Sequence, residues 1–329
     1  MFKDDHKLIA SVIIPCKNAG GNLRNVLNAV VSQNLPNGDF EVILIDSGSK
    51  DCTLQIINEF TAKYSCIKLF EIAPADFGHG KTRNFGASLS NADYLVFITQ
   101  DALPINNEWL YYLLKPFELH PDVVGVFGKH LPYPDCNIFE KRNLLQHFNN
   151  FGEGVIVYHM EDAERYKTDE GYRHLLGFYS DNNSAMRRST WLSYPYLDVN
   201  FAEDQLWAKQ MIELGFKKAY SSQSCVYHSH NYTHLDCFKR SFDDHCGLYR
   251  IYAYKPIQSV FQLLKMSICL SINDFKYLKS LHNIKFLEKL KLSTFILIQN
   301  TMKQLGAYIA YIKQGNNESI LSRETKLRK

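Results

Sequence analysis

Four short apolar runs, each followed by a segment with helical spacing, constrain most severely what this chain can fold into. "ASVIIP" precedes "NLRNVLNAVVSQ", "FEVILID" precedes "CTLQIINEFTAK", "IKLFEI" precedes "KTRNFGASLS", and "DYLVFIT" precedes "NEWLYYLLKPFEL". Runs that are apolar at every position, rather than at alternate ones, predict strands covered on both faces. Amphipathic helices joining such strands predict an α/β fold, a mostly parallel central sheet flanked by helices. At 329 residues and 46% hydrophobic, the chain can bury one large domain, or one domain plus an appendage.

Parallel sheets hold ligands at the carboxyl ends of their strands. Here those ends carry Pro15, Lys17 and Asn18 after the first run, Asp46-Ser47-Gly48-Ser49 after the second, and Thr99-Gln100-Asp101 after the fourth. Asp101 therefore falls on the edge where a ligand sits. Asp46 and Ser49 read equally well as caps of the next helix. No G-x-G-x-x-G and no G-x-x-x-x-G-K-[ST] follows any of these strands, which argues against a dinucleotide dehydrogenase and a P-loop enzyme. Eight cysteines without a C-x-x-C pair, and an N-terminus without a basic region and apolar run, read as a reduced cytosolic protein lacking a disulfide framework.

Six segments, "SVIIPCKN", "EVILIDSGSKDCT", "HGKTRNFGA", "FITQDA", "AEDQLWAKQMIELGFK" and "VYHSH", succeed one another in that order. In that order the chain resembles the family 2 glycosyltransferases with the GT-A nucleotide-sugar-binding fold, and within them the bacterial rhamnosyltransferase branch. The resemblance implies a catalytic domain over residues 1–250. It also implies an inverting transfer from a nucleotide-sugar, with L-rhamnose from dTDP-rhamnose as the first expectation. The implied acceptor is a lipid-linked or other saccharide in O-antigen or capsule synthesis.

Carried over position by position, the resemblance places Pro15, Lys17, Asn18 and Asp46 around the nucleoside. It places Arg83 and Asn84 at the diphosphate, where a guanidinium fork suits phosphate oxygens; Arg83 also reads as a solvated helix residue. The family's D-x-D motif aligns with Thr99-Gln100-Asp101, so threonine stands in place of the first acid. The implied cofactor is Mg²⁺ or Mn²⁺, held by Asp101 together with waters and substrate phosphates. His228 and His230 fall where related enzymes place a late histidine, and a strand would set both rings on one face. One of them reads also as a packing residue.

Glu203 and Asp204 open a helical pattern that ends at Gly215. The resemblance makes this pair catalytic and Asp204 the general base, with the helix N-terminus expected to favour its ionised form. Capping acids occupy the same position. In "GFYSDNNSAMRRSTW", Asp181, Asn182 and Asn183 are expected to hydrogen-bond acceptor hydroxyls, and Trp207 to stack on a pyranose. Each reads also as a turn residue or a core aromatic.

After residue 250 the pattern changes to a helical appendage, residues 251–329. From Ile257 to Lys329 there are twelve Lys or Arg against four Asp or Glu, a local +8, while the rest of the chain carries 25 against 30. Lys265 and the polar group Gln299, Asn300, Lys303 and Gln304 interrupt its apolar stretches. Neither stretch supplies the roughly 20 apolar residues of a membrane span. Basic amphipathic helices predict peripheral association with an anionic membrane, at its cytoplasmic face, or packing on the catalytic domain. Nucleic acid is not an expected partner, because no recognition element accompanies the basic residues. A catalytically silent assembly subunit is the alternative class; Asp46, Asp101 and Asp204 favour the enzyme, and Thr99 favours the alternative.

Overall fold

The computed structural model describes residues 8–35, 38–199, 201–282, 284–316 and 321–322. Nine strands build one sheet: β1 (Leu8–Cys16), β2 (Asp39–Asp46), β3 (Ile67–Glu71), β4 (Tyr94–Ile98), β5 (Leu103–Pro104), β6 (Val123–Leu131), β7 (Val155–Tyr158), β8 (Asn183–Arg187) and β9 (Lys217–Tyr227). Their order is β3-β2-β1-β4-β8-β6-β9-β5, with β7 also on β9. Strands β1 to β4 are mutually parallel. Strand β8 runs antiparallel to both neighbours, which leaves β6 and β9 pointing the same way as β4. Short β5 and β7 are also reversed against β9.

The reversal of β8 brings the start of a strand, not its end, to the ligand edge of the sheet. Its first residue, Asn183, pairs with Ile98, the last of β4. The segment entering β8 thus reaches the same edge as the carboxyl ends of β1, β2, β4 and β9.

Alternation along the strands explains the two-sided cover. Val12, Ile14 and Leu44 face a core with Leu23, Val26 and Leu27 of the helix Asn22–Val31 and with Trp109, Leu110 and Leu113 of the helix Trp109–Leu119. Ile13, Ile43, Ile45 and Phe97 face the other, with Ala87, Trp207, Ala208 and Met211. Each buried Leu, Ile or Phe contributes about 1.5–3 kcal/mol relative to exposure.

The described residues fall into two compact units, one of residues up to 199 with 203–230, the other of 201–202 with residues from 231 onward. The break after His230 precedes the 250/251 boundary expected from the change of pattern. The helix His234–Tyr252 packs on the helix Phe286–Ile312: Ser241 donates to the Lys303 carbonyl at 2.7 Å, and His234 Nδ1 lies 2.7 Å from Gln299 Oε1. Gly306 permits this approach, since an added Cβ would stand 2.6 Å from the Phe238 carbonyl oxygen. Between the helices Val260–Ser280 and Phe286–Ile312, buried Asn300 donates to Asp274 at 2.8 Å and to Ser271 at 3.3 Å. Phe261, Phe286 and Leu287 are 75%, 80% and 72% exposed in the same unit. Among the described residues no helix is long and apolar enough to cross a membrane.

The helix His79–Ser88 lies on the sheet through Gly86, where an added Cβ would stand 2.5 Å from Ile13 Cγ2 and 2.8 Å from Ile45 Cδ1. Gly86→Val should therefore lower stability by about 1–3 kcal/mol through overpacking. Thermal unfolding checks this, and an unchanged Tm would mean that the contact is not tight in solution.

Candidate active site

The ends of β1, β2 and β4 are joined by side chains. Gln100 accepts from Lys17 N at 2.7 Å and donates to Lys17 O at 3.1 Å, closing β1 against β4 as an extra rung. Lys17 Nζ donates to the Ser47 carbonyl at 2.7 Å, drawing in the loop after β2. Exposed Asn18 adopts the left-handed region, φ 47°, which asparagine tolerates, and its side chain accepts from Lys50 N at 2.8 Å. Pro15 is half-buried on β1.

Asp46 departs from its reading as a helix cap. It is fully buried, and its carboxylate accepts from Gly48 N and Ser49 N at 2.8 Å and from the Ser49 hydroxyl. Gly48 makes that turn possible at φ 81°. The carboxylate shapes its own loop. It caps no helix, because the next one starts at Thr53, where Asp51 accepts the backbone N–H at 3.0 Å.

Asp101, just past β4, meets both histidines that come after β9. His228 Nε2 lies 3.6 Å from Asp101 Oδ1, and His230 Nε2 lies 3.6 Å from Asp101 Oδ2. One donor atom from each of the three falls within 4.8 Å of the others. Burial pushes the Asp101 carboxyl up, but the two imidazoles outweigh it and hold the group below the usual carboxylate range. Asn182 Nδ2 stands 3.4 Å from His228 Nδ1.

Beside this lies a cluster of buried charge. Arg83 Nε stands 3.2 Å from Asp181 Oδ2, an ion pair without hydrogen-bond alignment, and Arg83 also donates to Glu203. Arg83 is thus not a solvated helix residue but part of a buried ion pair. Glu203 is correspondingly occupied by Arg83 and is not presented to an acceptor. Half-buried Asp204 accepts from Asp181 N at 3.2 Å. Its carboxyl is pushed up to about 8, by burial first and then by Glu203 and Asp181, with Arg83 opposing. The helix N-terminus was expected to favour the ionised form; desolvation and two like charges prevail over that dipole.

Most expected acceptor contacts prove to be structural. Asp181 is buried and accepts from Ser184 at 2.7 Å and Tyr196 at 2.8 Å. Asn183 is buried between Trp109 Nε1 and the Ser224 carbonyl, each at 2.8 Å. Trp207 is a core residue whose indole donates to Tyr194 O at 2.9 Å. Asn84, expected at the donor, instead clamps Trp191 Nε1 at 2.9 Å and the Tyr196 carbonyl at 2.8 Å. Only Asn182 of that set is half-exposed, and it faces His228.

Two participants escape sequence reasoning. Tyr133, after β6, donates to the Asp101 carbonyl at 3.0 Å; its phenol is pushed up to about 12 by burial, then by Asp101 and Asp135. His130 on β6 is buried with its ring 5.5 Å from that of His228, and burial holds it well below the usual imidazole range. The apolar run "VVGVFG" ahead of them is the one available signal.

The sequence profile of glycosyl transferase family 2 matches residues 11–190. The O-antigen chain rhamnosyltransferase RfbN of Salmonella typhimurium is 35% identical over 239 residues, 71% of this chain and 70% of that protein. WbaN of Salmonella anatum, an O-antigen chain rhamnosyltransferase, is 34% identical over the same shares. The fold is similar to that of a mannosyltransferase from Pyrobaculum calidifontis solved with GDP-Man and Mn²⁺, with a TM-score of 0.61 at 14% identity over 94% of this chain and 87% of that one. It is also similar to Staphylococcus aureus TarS 1-349 solved with UDP-GlcNAc, TM-score 0.52 at 14% identity over 93% and 92%. The chain belongs to glycosyl transferase family 2. It has the GT-A fold and is a transferase enzyme.

The charge cluster has a measurable consequence for stability. Since the Asp204 pKa in the folded protein, about 8, lies above the ordinary 3.8, the folded state holds this proton more tightly than the unfolded chain. Its contribution is complete below pH 4 and is lost as pH rises towards 8. Asp204→Asn removes that loss and keeps an acceptor for Asp181 N. Its Tm should exceed that of the wild type by a margin that widens from pH 5 to pH 8; a margin independent of pH would show that Asp204 titrates normally.

Proposed function

We propose that the protein transfers a sugar from a nucleotide-sugar to an acceptor hydroxyl with inversion, and that Asp204 is the base. The observation that carries this reading is a half-buried carboxyl whose pKa of about 8 sits near working pH, tied through Asp181 and Asn182 to His228. A base is most effective when its pKa lies close to the operating pH. The acceptor O–H gives its proton to Asp204 while its oxygen attacks the anomeric carbon. The bond from that carbon to the phosphate oxygen breaks, and the nucleoside diphosphate leaves with the electron pair.

Asp101, His228 and His230 fit a divalent cation, and two imidazoles beside one carboxylate suit Mn²⁺ better than Mg²⁺. When bound, the cation would offset the charge that develops on the departing diphosphate. Lys17, Asn18 and Pro15 border the donor at the adjoining strand ends. Similarity to two O-antigen chain rhamnosyltransferases supports dTDP-L-rhamnose as donor and a lipid-linked saccharide as acceptor in surface polysaccharide synthesis. Thr99 in place of an acid favours a silent subunit, but both histidines facing Asp101 replace the donor atoms that the missing acid would supply.

The C-terminal unit acts as a peripheral anchor on the cytoplasmic face of the membrane. Exposed Phe261, Leu264, Ile268, Phe286 and Leu287 are interspersed with exposed Lys265, Lys285 and Lys291, a combination that complements an anionic bilayer.

Catalysis is tested with Asp204→Asn and Asp101→Ala. The first should lose about 10²–10⁴ in rate with donor affinity intact. The second should weaken dTDP-rhamnose binding, and chelator should reproduce that defect in the wild type. Wild-type turnover in Asp204→Asn removes the base, and chelator-resistant binding removes the cation.

The anchor is tested by co-sedimentation with liposomes. Phe261→Glu with Phe286→Glu and Leu287→Glu should release the protein from anionic vesicles, and each lysine near the surface should contribute about 1 kcal/mol that salt screens. Equal binding of variant and wild type would refute the anchor.

A further inference from the structure

We propose that Arg83 is a positioning residue for the transfer: its guanidinium, closed on Asp181 and Glu203, sets how much negative charge faces Asp204 and hence the pH at which that carboxylate takes the acceptor's proton. This role rests on Asp204 being the base. It differs from the diphosphate contact implied by the family's motif: Arg83 is buried and closed on two carboxylates.

The geometry brings three carboxylates and one guanidinium into one buried place. Asp181 comes from the segment entering β8, Glu203 and Asp204 from the first turn of the helix Glu203–Glu213, and Arg83 from the helix His79–Ser88. Tyr179 and Tyr196 complete the surroundings; the Tyr196 hydroxyl donates to Asp181, and the Tyr179 hydroxyl donates to the Ala185 carbonyl at 2.6 Å. Among the described residues, Arg83 is the cation that ion pairs place in this cluster. It remains charged, because the carboxylates outweigh the burial that pushes its pKa down.

One cation therefore moderates two like charges next to the base. Without it, Asp181 and Glu203 repel a charge on Asp204 undiminished, and the base loses its proton only at higher pH. Without Glu203, Arg83 acts on Asp204 less opposed, and the base loses its proton at lower pH. The two substitutions shift the same titration in opposite directions. Replacing a purely structural Arg83 would leave the titration where it is, whereas Glu203, which faces Asp204 itself, shifts it in either case.

The test is the pH dependence of kcat/KM for full-length wild type, Arg83→Met, Arg83→Lys and Glu203→Gln, with the Kd for dTDP-rhamnose measured alongside. The wild-type profile should rise to a plateau with a midpoint near 8. Arg83→Met should move the midpoint up by about one unit or more, roughly tenfold in rate at neutral pH, and Arg83→Lys should move it back towards the wild type. Glu203→Gln should move it down and reports that the cluster's charge reaches Asp204, and Arg83→Gln takes the place of Arg83→Met if that variant does not fold. All should hold dTDP-rhamnose within about threefold, since the Arg83 guanidinium is engaged by Asp181 and Glu203. An unmoved midpoint in Glu203→Gln or Arg83→Met overturns the role, as does a tenfold loss of donor affinity in Arg83→Met. Failure of the base itself is seen separately, as full activity in Asp204→Asn.

Discussion

The amide of Asn183 is the contact on which the geometry of the site depends. It is buried at the first residue of β8, with its oxygen taken by the Trp109 indole and its nitrogen by the Ser224 carbonyl. Gly128 has no Cβ where one would collide with that amide. A buried amide deprived of one partner costs about 1–3 kcal/mol, so the three elements that meet there are held in one arrangement. The two residues before it, Asp181 and Asn182, are thereby delivered to the sheet edge, one against Asp204 and the other against His228. A strand reversed within an otherwise parallel sheet is what allows its entry, rather than its exit, to reach that edge.

The charge cluster shows how stability yields to chemistry. Three carboxylates around one guanidinium is not an arrangement that folding alone would favour. Desolvation raises the cost of every uncompensated charge, and loss of one partner from a buried pair costs about 3–5 kcal/mol. Arg83 compensates two acids and leaves Asp204 with a proton it can exchange near neutral pH. At Asp101 the opposite balance holds: two imidazoles outweigh burial and keep the carboxyl low. Two acids on one sheet edge thus acquire opposite tendencies from their neighbours.

The C-terminal unit is organised on a different principle. Its inner positions carry small or polar groups in register, Gly306 against the Phe238 carbonyl and Asn300 against Asp274 and Ser271. Phe242, Ile257, Leu263 and Ile296 are buried in its own core, while Phe261, Phe286 and Leu287 point outward, unlike Ile13, Ile45 and Phe97 of the sheet unit, which are sealed. A bundle gains nothing from Phe286 at 80% exposure, and this exposed apolar set is the physical reason for reading an external apolar surface as its counterpart.

Local pattern alone determined the four parallel strands, the helices between them and the placement of Asp101 at a strand end, because continuous apolar runs and helical periods are properties of neighbouring residues. The two-residue β5 is too short to carry such a signal, β7 is a run of only four residues, and the polar start of β8 reads as a turn. Residue type also marked Arg83, Asp181, Glu203 and Asp204 as notable, but not their roles. Whether an arginine meets a phosphate or a buried acid depends on which segments converge from 100 or more positions away, as Arg83 and Glu203 do, 120 positions apart. The basicity of Asp204 was likewise decided only by tertiary structure. A helix N-terminus is visible in sequence and favours ionisation, whereas burial and the Asp181 and Glu203 charges, which prevail, exist only once the chain has folded.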